Sequence, residues 1–238
     1  MRLASAFVYD MKLQFRHGFY YAYLFISAAY IVLLRLMPRE YKETASILIT
    51  FSDPSVLGFF FIGGLVLLEK GQNVYDNLFV TPYRPAEYIV SKTLSLTLLS
   101  VVTSYAVHVG AFGFHTNLLL YVTGVALTSF FFTLIGMGLA VRCQTLNGFF
   151  FMSTLYTFVF VLPLFETVGV WTSPLFAVLP AKASLLLLGT AFSPLDWREL
   201  AYGLLLLAGW NAIAFLWTWH SFRKFIILKI GNERRGGK

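Results

Sequence analysis

Glu69, Asp76, Arg84, Glu87 and Lys92 fall within one polar stretch, EKGQNVYDNLFVTPYRPAEYIVSK from Glu69 to Lys92, set between two long apolar runs. Charges concentrated there suit recognition chemistry, meaning polar contact at the span bases and with a partner. Their spacing does not suit catalysis or metal binding. The sequence contains no H-E-x-x-H, no C-x-x-C, no nucleophile elbow and no pair of carboxylates inside an apolar run. Gly231, Gly236, Gly237 and Lys238 come near a phosphate-binding loop, but the lysine stands one place late, no hydroxyl residue follows and no strand precedes it. That segment reads as a flexible basic tail, so an enzyme is not expected.

Isolated polar residues carry other chemistry. His108 is the ionisable group well inside a predicted span; it reads first as hydrogen-bonded within a bundle, second as a proton relay or metal ligand. Asp53, in Ser52-Asp53-Pro54, reads as a helix cap, with a cation or substrate ligand as the alternative. The single cysteine, Cys143, can form no internal disulfide. Coupled ion transport normally leaves ionisable residues near the bilayer midplane. Apart from His108, this sequence keeps its charges at the ends of apolar runs, so energy is expected to enter from outside the membrane.

The elements that position these groups are membrane helices. Of 238 residues, 58% are hydrophobic and 12% charged, far from the roughly one-quarter charged of a soluble domain. Apolar runs approaching the roughly 20 residues needed to cross a bilayer occur at Phe19–Met37, Pro54–Leu68, Thr93–Phe114, Leu118–Val141, Gly148–Phe165 and Leu200–Phe222. Six spans in one domain over 1–238 is the simplest count; the short second run and the broken region Trp171–Phe192 leave five and seven as alternatives. No small-residue cleavage site follows the first run, so it is expected to stay as the first span. Of the 18 Lys and Arg, six spans leave five (Arg35, Arg39, Lys42, Lys182, Arg198) on one side and thirteen on the side of both termini and the polar stretch. The positive-inside rule places that richer side in the cytoplasm, and the expected location is a prokaryotic plasma membrane. The net charge of +7 is mostly this bias. The basic tail, 223–238, can touch anionic lipid heads, and no nucleic-acid partner is expected.

Residues 1–18 wind into an apolar arc of Leu3, Ala4, Phe7, Val8, Met11 and Phe15 opposite Arg2, Ser5, Lys12, Arg16 and His17. This is an amphipathic interface helix, with Phe7, Met11, Lys12, Phe15 and Arg16 as its candidate contact residues. It serves either as an anchor alone or as a surface that also touches a cytoplasmic subunit. The stretch 69–92 reads as a short helix from Gln72 to Phe79, a turn at Thr81-Pro82 and a new helix entered through Pro85. On the short helix, Val74, Leu78 and Phe79 face the membrane or a helix end, while Asn73, Asp76 and Asn77 face water or a partner. Glu69 and Arg84 are either in polar contact at the span bases or separate charges in water. Arg35–Thr50 shows no catalytic pattern, and spans three and four form a hairpin turning at His115–Asn117. Gly124, Thr128, Ser129, Thr133, Gly136 and Ala140 give the fourth span a small-residue packing face. The segment 166–198 is apolar but broken by Pro174, Pro180, Lys182 and Pro194; it reads as two short helices dipping into the outer leaflet.

Glu69, Gly71, Asp76, Thr81, Pro82, Arg84, Glu87, Tyr88 and Lys92 follow, in order, a family pattern: an acidic residue at the end of span two, a glycine, an acidic turn, then T-P-x-R-x-x-E-Y and a lysine. On these residues, and along nearly its whole length, the chain resembles the membrane subunit of an ATP-binding cassette (ABC) exporter of the small type-2, or type V, kind. Small drug-efflux permeases, including fluoroquinolone-type exporters, resemble it most in the V-T-P-Y-R-P-A-E-Y run. Where many relatives have G-T-L-E, this chain has Gly71-Gln72-Asn73-Val74, with the acid displaced to Asp76. The resemblance implies an all-α membrane protein of six transmembrane helices, with the elbow at 69–92 as a cytoplasmic coupling helix docked on an ATPase subunit. It implies Glu69, Gln72, Tyr75, Asp76, Leu78, Phe79, Thr81, Pro82 and Arg84 as coupling residues. It also implies two ATPase copies carrying ATP and Mg, a second permease copy or sibling permease, no cofactor on this chain, and alternating access around a phenylalanine-rich cavity for hydrophobic or amphipathic cargo. A noncatalytic membrane scaffold or immunity-type protein, and a secondary transporter, are the alternatives.

Overall fold

The computed structural model describes residues 2–52, 57–79, 81–114 and 118–228, and all regular structure among them is helical. The helices are α1 (Arg2–Arg16), α2 (Phe19–Leu36), α3 (Arg39–Thr50), α4 (Leu57–Gly71), α5 (Val74–Leu78), α6 (Pro85–Phe112), α7 (Leu119–Ala140), α8 (Leu146–Val161), α9 (Leu164–Thr167), α10 (Pro180–Gly189) and α11 (Trp197–Phe222). A π-helical turn, Arg223–Ile227, prolongs α11. Four of them, α2, α6, α7 and α11 with its extension, are long and apolar enough to cross a membrane. The Asp53-Pro54 cap, the His115–Asn117 turn and the tail from Lys229 lie outside the described residues.

The centre of the bundle is α7, packed by α4, α6, α10 and α11. Every residue from Phe131 to Val141 is buried, because the helix carries small residues where its neighbours cross. A Cβ on Gly136 would lie 2.5 Å from the Phe59 carbonyl oxygen of α4, so only glycine lets that backbone approach. Hydroxyls satisfy one another at the seams: Ser129 bonds Ser100 of α6 at 2.9 Å, Thr128 bonds Ser184 of α10 at 2.9 Å, and Thr218 of α11 donates to the Leu134 carbonyl at 2.7 Å. The small face expected of this helix is therefore real and serves three neighbours.

The second expected span is built differently from the reading Pro54–Leu68. Its apolar half is α4, at 15 residues about 22 Å long and too short to cross alone. Ahead of it lies α3, a helix in a segment whose charged start, Arg39-Glu-Tyr-Lys-Glu, gave no helical expectation. Along α7 the contacts progress with the chain. Thr50 bonds Tyr121 at 3.2 Å, Phe51 meets Phe132, Phe59 meets Gly136, and Lys70 donates to the Val141 carbonyl at 3.1 Å. The end of α3 and the length of α4 thus follow α7, while the body of α3 packs against α2 and α10.

At one end of the bundle, α6 finishes with its last carbonyls capped by cations, Arg35 on Gly110 at 2.8 Å and Lys42 on Ala111 at 3.0 Å. The same end carries the 166–198 segment. There the two expected short helices appear as a 3-10 turn, Pro174–Val178, and α10, whose Ala183, Leu187 and Leu188 are fully buried. An ion pair of 2.8 Å between Lys182 and Glu166 ties its two limbs. The opposite end gathers α1, the elbow and the last turns of α4, α7 and α11. On the outer surface, α2 and α8 present large apolar side chains such as Leu24, Phe25, Phe151 and Phe158.

Candidate functional site

The elbow is shaped by backbone chemistry. α4 ends at Gly71, and Asn73 takes a left-handed conformation (φ 52°), one that asparagine tolerates better than most side chains. This turns the chain into the short α5, Val74–Leu78, rather than the longer Gln72–Phe79 read from the sequence. Thr81 closes the next turn by donating its hydroxyl to the Leu78 carbonyl at 2.6 Å. α6 then begins with Pro85 in its first turn, and the Glu87 carboxylate accepts the Arg84 N–H at 2.8 Å.

That start sets the register of α6, so that Tyr88, Ser91, Lys92 and Ser95 share one stripe at helical spacing. All four are buried, and they meet polar side chains from three other elements. Lys92 Nζ lies 3.0 Å from Asp10 Oδ1 of α1 and 2.7 Å from Glu69 Oε1 of α4. Ser91 donates to the other Asp10 oxygen, Tyr88 donates to Glu69 Oε2 at 2.5 Å, and Gln14 donates to Ser95 at 2.6 Å. The Tyr75 hydroxyl of α5, which donates to the Val66 carbonyl at 3.3 Å, lies 3.0 Å from the Tyr88 hydroxyl. Each carboxylate oxygen thus has a donor, which is the condition for keeping charge out of water.

Rings bind the elbow to the same place. Tyr75, Phe79, Tyr88 and Phe222 form a cluster with Phe222 centroids 5.7, 5.7 and 5.2 Å from Tyr75, Phe79 and Tyr88. Burial and the neighbouring Glu69 carboxylate hold the Tyr75 phenol well above its ordinary range. Burial and Asp10 push Tyr83, in the turn before α6, up to about 12. The adjoining helix ends are fastened by cations. Lys70 caps α7 through the Val141 and Cys143 carbonyls (3.1 and 2.8 Å), and Arg142 lies 4.4 Å over the Trp217 ring while donating to Ser221 at 2.8 Å.

Several expectations shift. The Glu69–Arg84 contact does not form: Glu69 faces Lys92 and Tyr88, while Arg84 is exposed beyond the capped turn. Tyr75 turns inward at 4% exposure, so it is not on the outer face of the elbow; Gln72, Asn77, Thr81 and Pro82 are exposed there, with Asp76, Leu78 and Phe79 half-buried. On α1 the apolar arc points outward. Leu3, Val8 and Phe15 are exposed with Lys12 and Arg16, Phe7 and Met11 are half-buried, and the inward residues are Asp10 and Gln14. Asp10, Gln14, Ser91 and Ser95 were not foreseen. The available signal was an acid and an amide one helical turn apart on α1, matched by Ser91, Lys92 and Ser95 at the start of α6.

The family's sequence profile, that of the fluoroquinolones export permease protein family, matches residues 1–230. The fluoroquinolones export permease proteins of Mycobacterium tuberculosis, strains CDC 1551 / Oshkosh and ATCC 25618 / H37Rv, are each 28% identical over 192 residues, covering 80% of this chain and 81% of theirs. A bundle with four helices fit to span a membrane and a match over nearly its full length have one consequence: the chain belongs to the fluoroquinolones export permease protein family.

Proposed function

We propose that this chain is the membrane-spanning permease subunit of an ATP-driven ABC exporter, moving a hydrophobic or amphipathic substrate by alternating access. Six passes serve this reading: α2, α3 with α4, α6, α7, α8 and α11 alternate in direction, which returns both termini and the elbow to one side. That side is the cytoplasm by the distribution of Lys and Arg. Two copies of the chain, or this chain and a sibling, enclose the path, and two ATPase subunits below them hold ATP and Mg.

The observation that carries the reading is the construction of the elbow. A five-residue helix has little stability of its own, yet α5 is fixed by the rings of α6 and α11 and by the Tyr75–Tyr88–Glu69 hydrogen bonds, while Gln72, Asn77, Thr81 and Pro82 stay exposed. A rigid knuckle with an exposed, mostly polar outer face is suited to docking a partner and transmitting its movement to three helices. In proteoliposomes holding the chain and a Walker-motif ATPase purified with it, drug uptake should require ATP. Asn77→Arg should abolish copurification without altering the melting temperature of the permease. Uptake that persists without any ATPase would refute the reading.

A further inference from the structure

A cavity of about 730 Å³ opens between α1, the last turns of α4 and the elbow. Its volume lies within the roughly 300–1,000 Å³ of small-molecule sites. Leu13, Leu65, Leu68, Val74 and Leu78 supply apolar walls, and Asp10, Glu69 and Lys92 also line it. No other Asp, Glu, Lys or Arg lines it among the described residues, and the His17 ring is engaged through Nδ1 with the Leu13 carbonyl at 2.8 Å. Two carboxylates share one ammonium, which leaves the lining one negative charge in excess. Beside these apolar walls that excess attracts a cation and repels an anion of the same shape.

We infer that this cavity is a binding site for an amphipathic monocation, an apolar body of drug size whose single positive charge lies beside Glu69 and Asp10. The apolar walls take the body, and the charge completes a neutral set of two anions and two cations. The inference deepens the permease reading by naming a class of cargo, and it rests on that reading only to that extent.

The test uses the full chain in phosphatidylcholine nanodiscs, without nucleotide or ATPase. It is titrated with tetraphenylphosphonium and tetraphenylborate, ions of matched size and opposite charge, with empty discs as the correction for partitioning. The cation should bind saturably and at least about tenfold more tightly than the anion. Glu69→Gln, which removes a negative charge yet keeps an acceptor for Tyr88, should weaken cation binding about tenfold. Leu13→Trp fills the cavity without touching the charges and should weaken it as much, so the proposal stays testable if Glu69→Gln fails to fold. Equal binding of the two ions, or cation binding unchanged in Leu13→Trp, overturns the inference. Loss of the saturable site when phosphatidylethanolamine is added also overturns it, by assigning the cavity to a lipid headgroup. ATP-dependent uptake is measured separately, so failure of either result leaves the other standing.

Discussion

Lys92→Met is the sharpest perturbation of the site. Methionine keeps most of the length and the apolar stem of the side chain and removes the charge together with the N–H donors to Asp10 and Glu69. In the native chain Lys92 Nζ stands 3.0 Å from Asp10 and 2.7 Å from Glu69, with its side chain 4% exposed. Without it, two buried carboxylates face each other with no cation between them. Removing one partner from a buried ion pair costs about 3–5 kcal/mol. In a chain of this size each kcal/mol moves the melting midpoint by about 2–4 °C, so Lys92→Met should melt about 6–20 °C below the wild type in a detergent tryptophan-fluorescence melt. The control removes all three charges together, as Asp10→Leu, Glu69→Leu and Lys92→Leu. Its stability should return to within about 1 kcal/mol of the wild type or exceed it, because the desolvation of three ions disappears with them. A Lys92→Met midpoint within about 2 °C of wild type would refute the reasoning. So would a triple variant as unstable as the single one, since burial of unpaired charge would then not be the cause.

Gly138→Ala should destabilise by about 1–3 kcal/mol, read in the same melt, because the new Cβ would lie 2.3 Å from the Trp217 ring. Moving that indole also disturbs the Arg142 guanidinium stacked on it at 4.4 Å. The melting midpoint should fall in alkali partly through Tyr83, whose folded pKa is about 12 against an ordinary 10. The protonated phenol is favoured in the fold, so its contribution is intact below about pH 10 and is lost as pH rises through about 12. Tyr83→Phe should therefore show a shallower decline above pH 10 than the wild type, and parallel curves would count against it.

Much of the fold was legible because membrane helices announce themselves by length and apolar content. The expected interface helix 1–18 is α1, Arg2–Arg16; the fourth span, Leu118–Val141, is α7, Leu119–Ala140; the proline entry at Pro85 starts α6. The hidden element was α3. Its first turn is charged and exposed while its last residues, Ser46 and Thr50, are buried, and such a helix has no sustained apolar run to betray it. Within the site, Glu69 was legible as a charge at a span base, but its partner was not. Periodicity within one helix places Tyr88 and Lys92 on a common face; it says nothing about Asp10, which is separated from Lys92 by 82 positions. Arg84 was a reasonable partner by proximity along the chain, and the proline turn with its Glu87 cap is what carries it away.

The inward contacts of α1 change what that helix is for. An interface helix held only by its apolar arc answers to the lipid and can slide or tilt with little cost. Here Leu3, Val8 and Phe15 remain exposed on the outside of the chain, and Asp10 and Gln14 bind the inward face to α6. Buried ionic contacts are short-ranged and directional in their hydrogen bonds, so they fix register as well as distance. Lys92 is shared, and a displacement that preserves its bond to Glu69 must carry Asp10 with it or leave a charge unpaired. The cheapest motions are then those in which α1, the base of α4, the start of α6 and α5 move as one body. A force delivered to Gln72, Asn77, Thr81 or Pro82 enters that body at its exposed edge. The cavity lies inside it, lined by residues of all four elements, so movement of this body relative to the remaining helices alters access to the cavity before it alters the cavity itself.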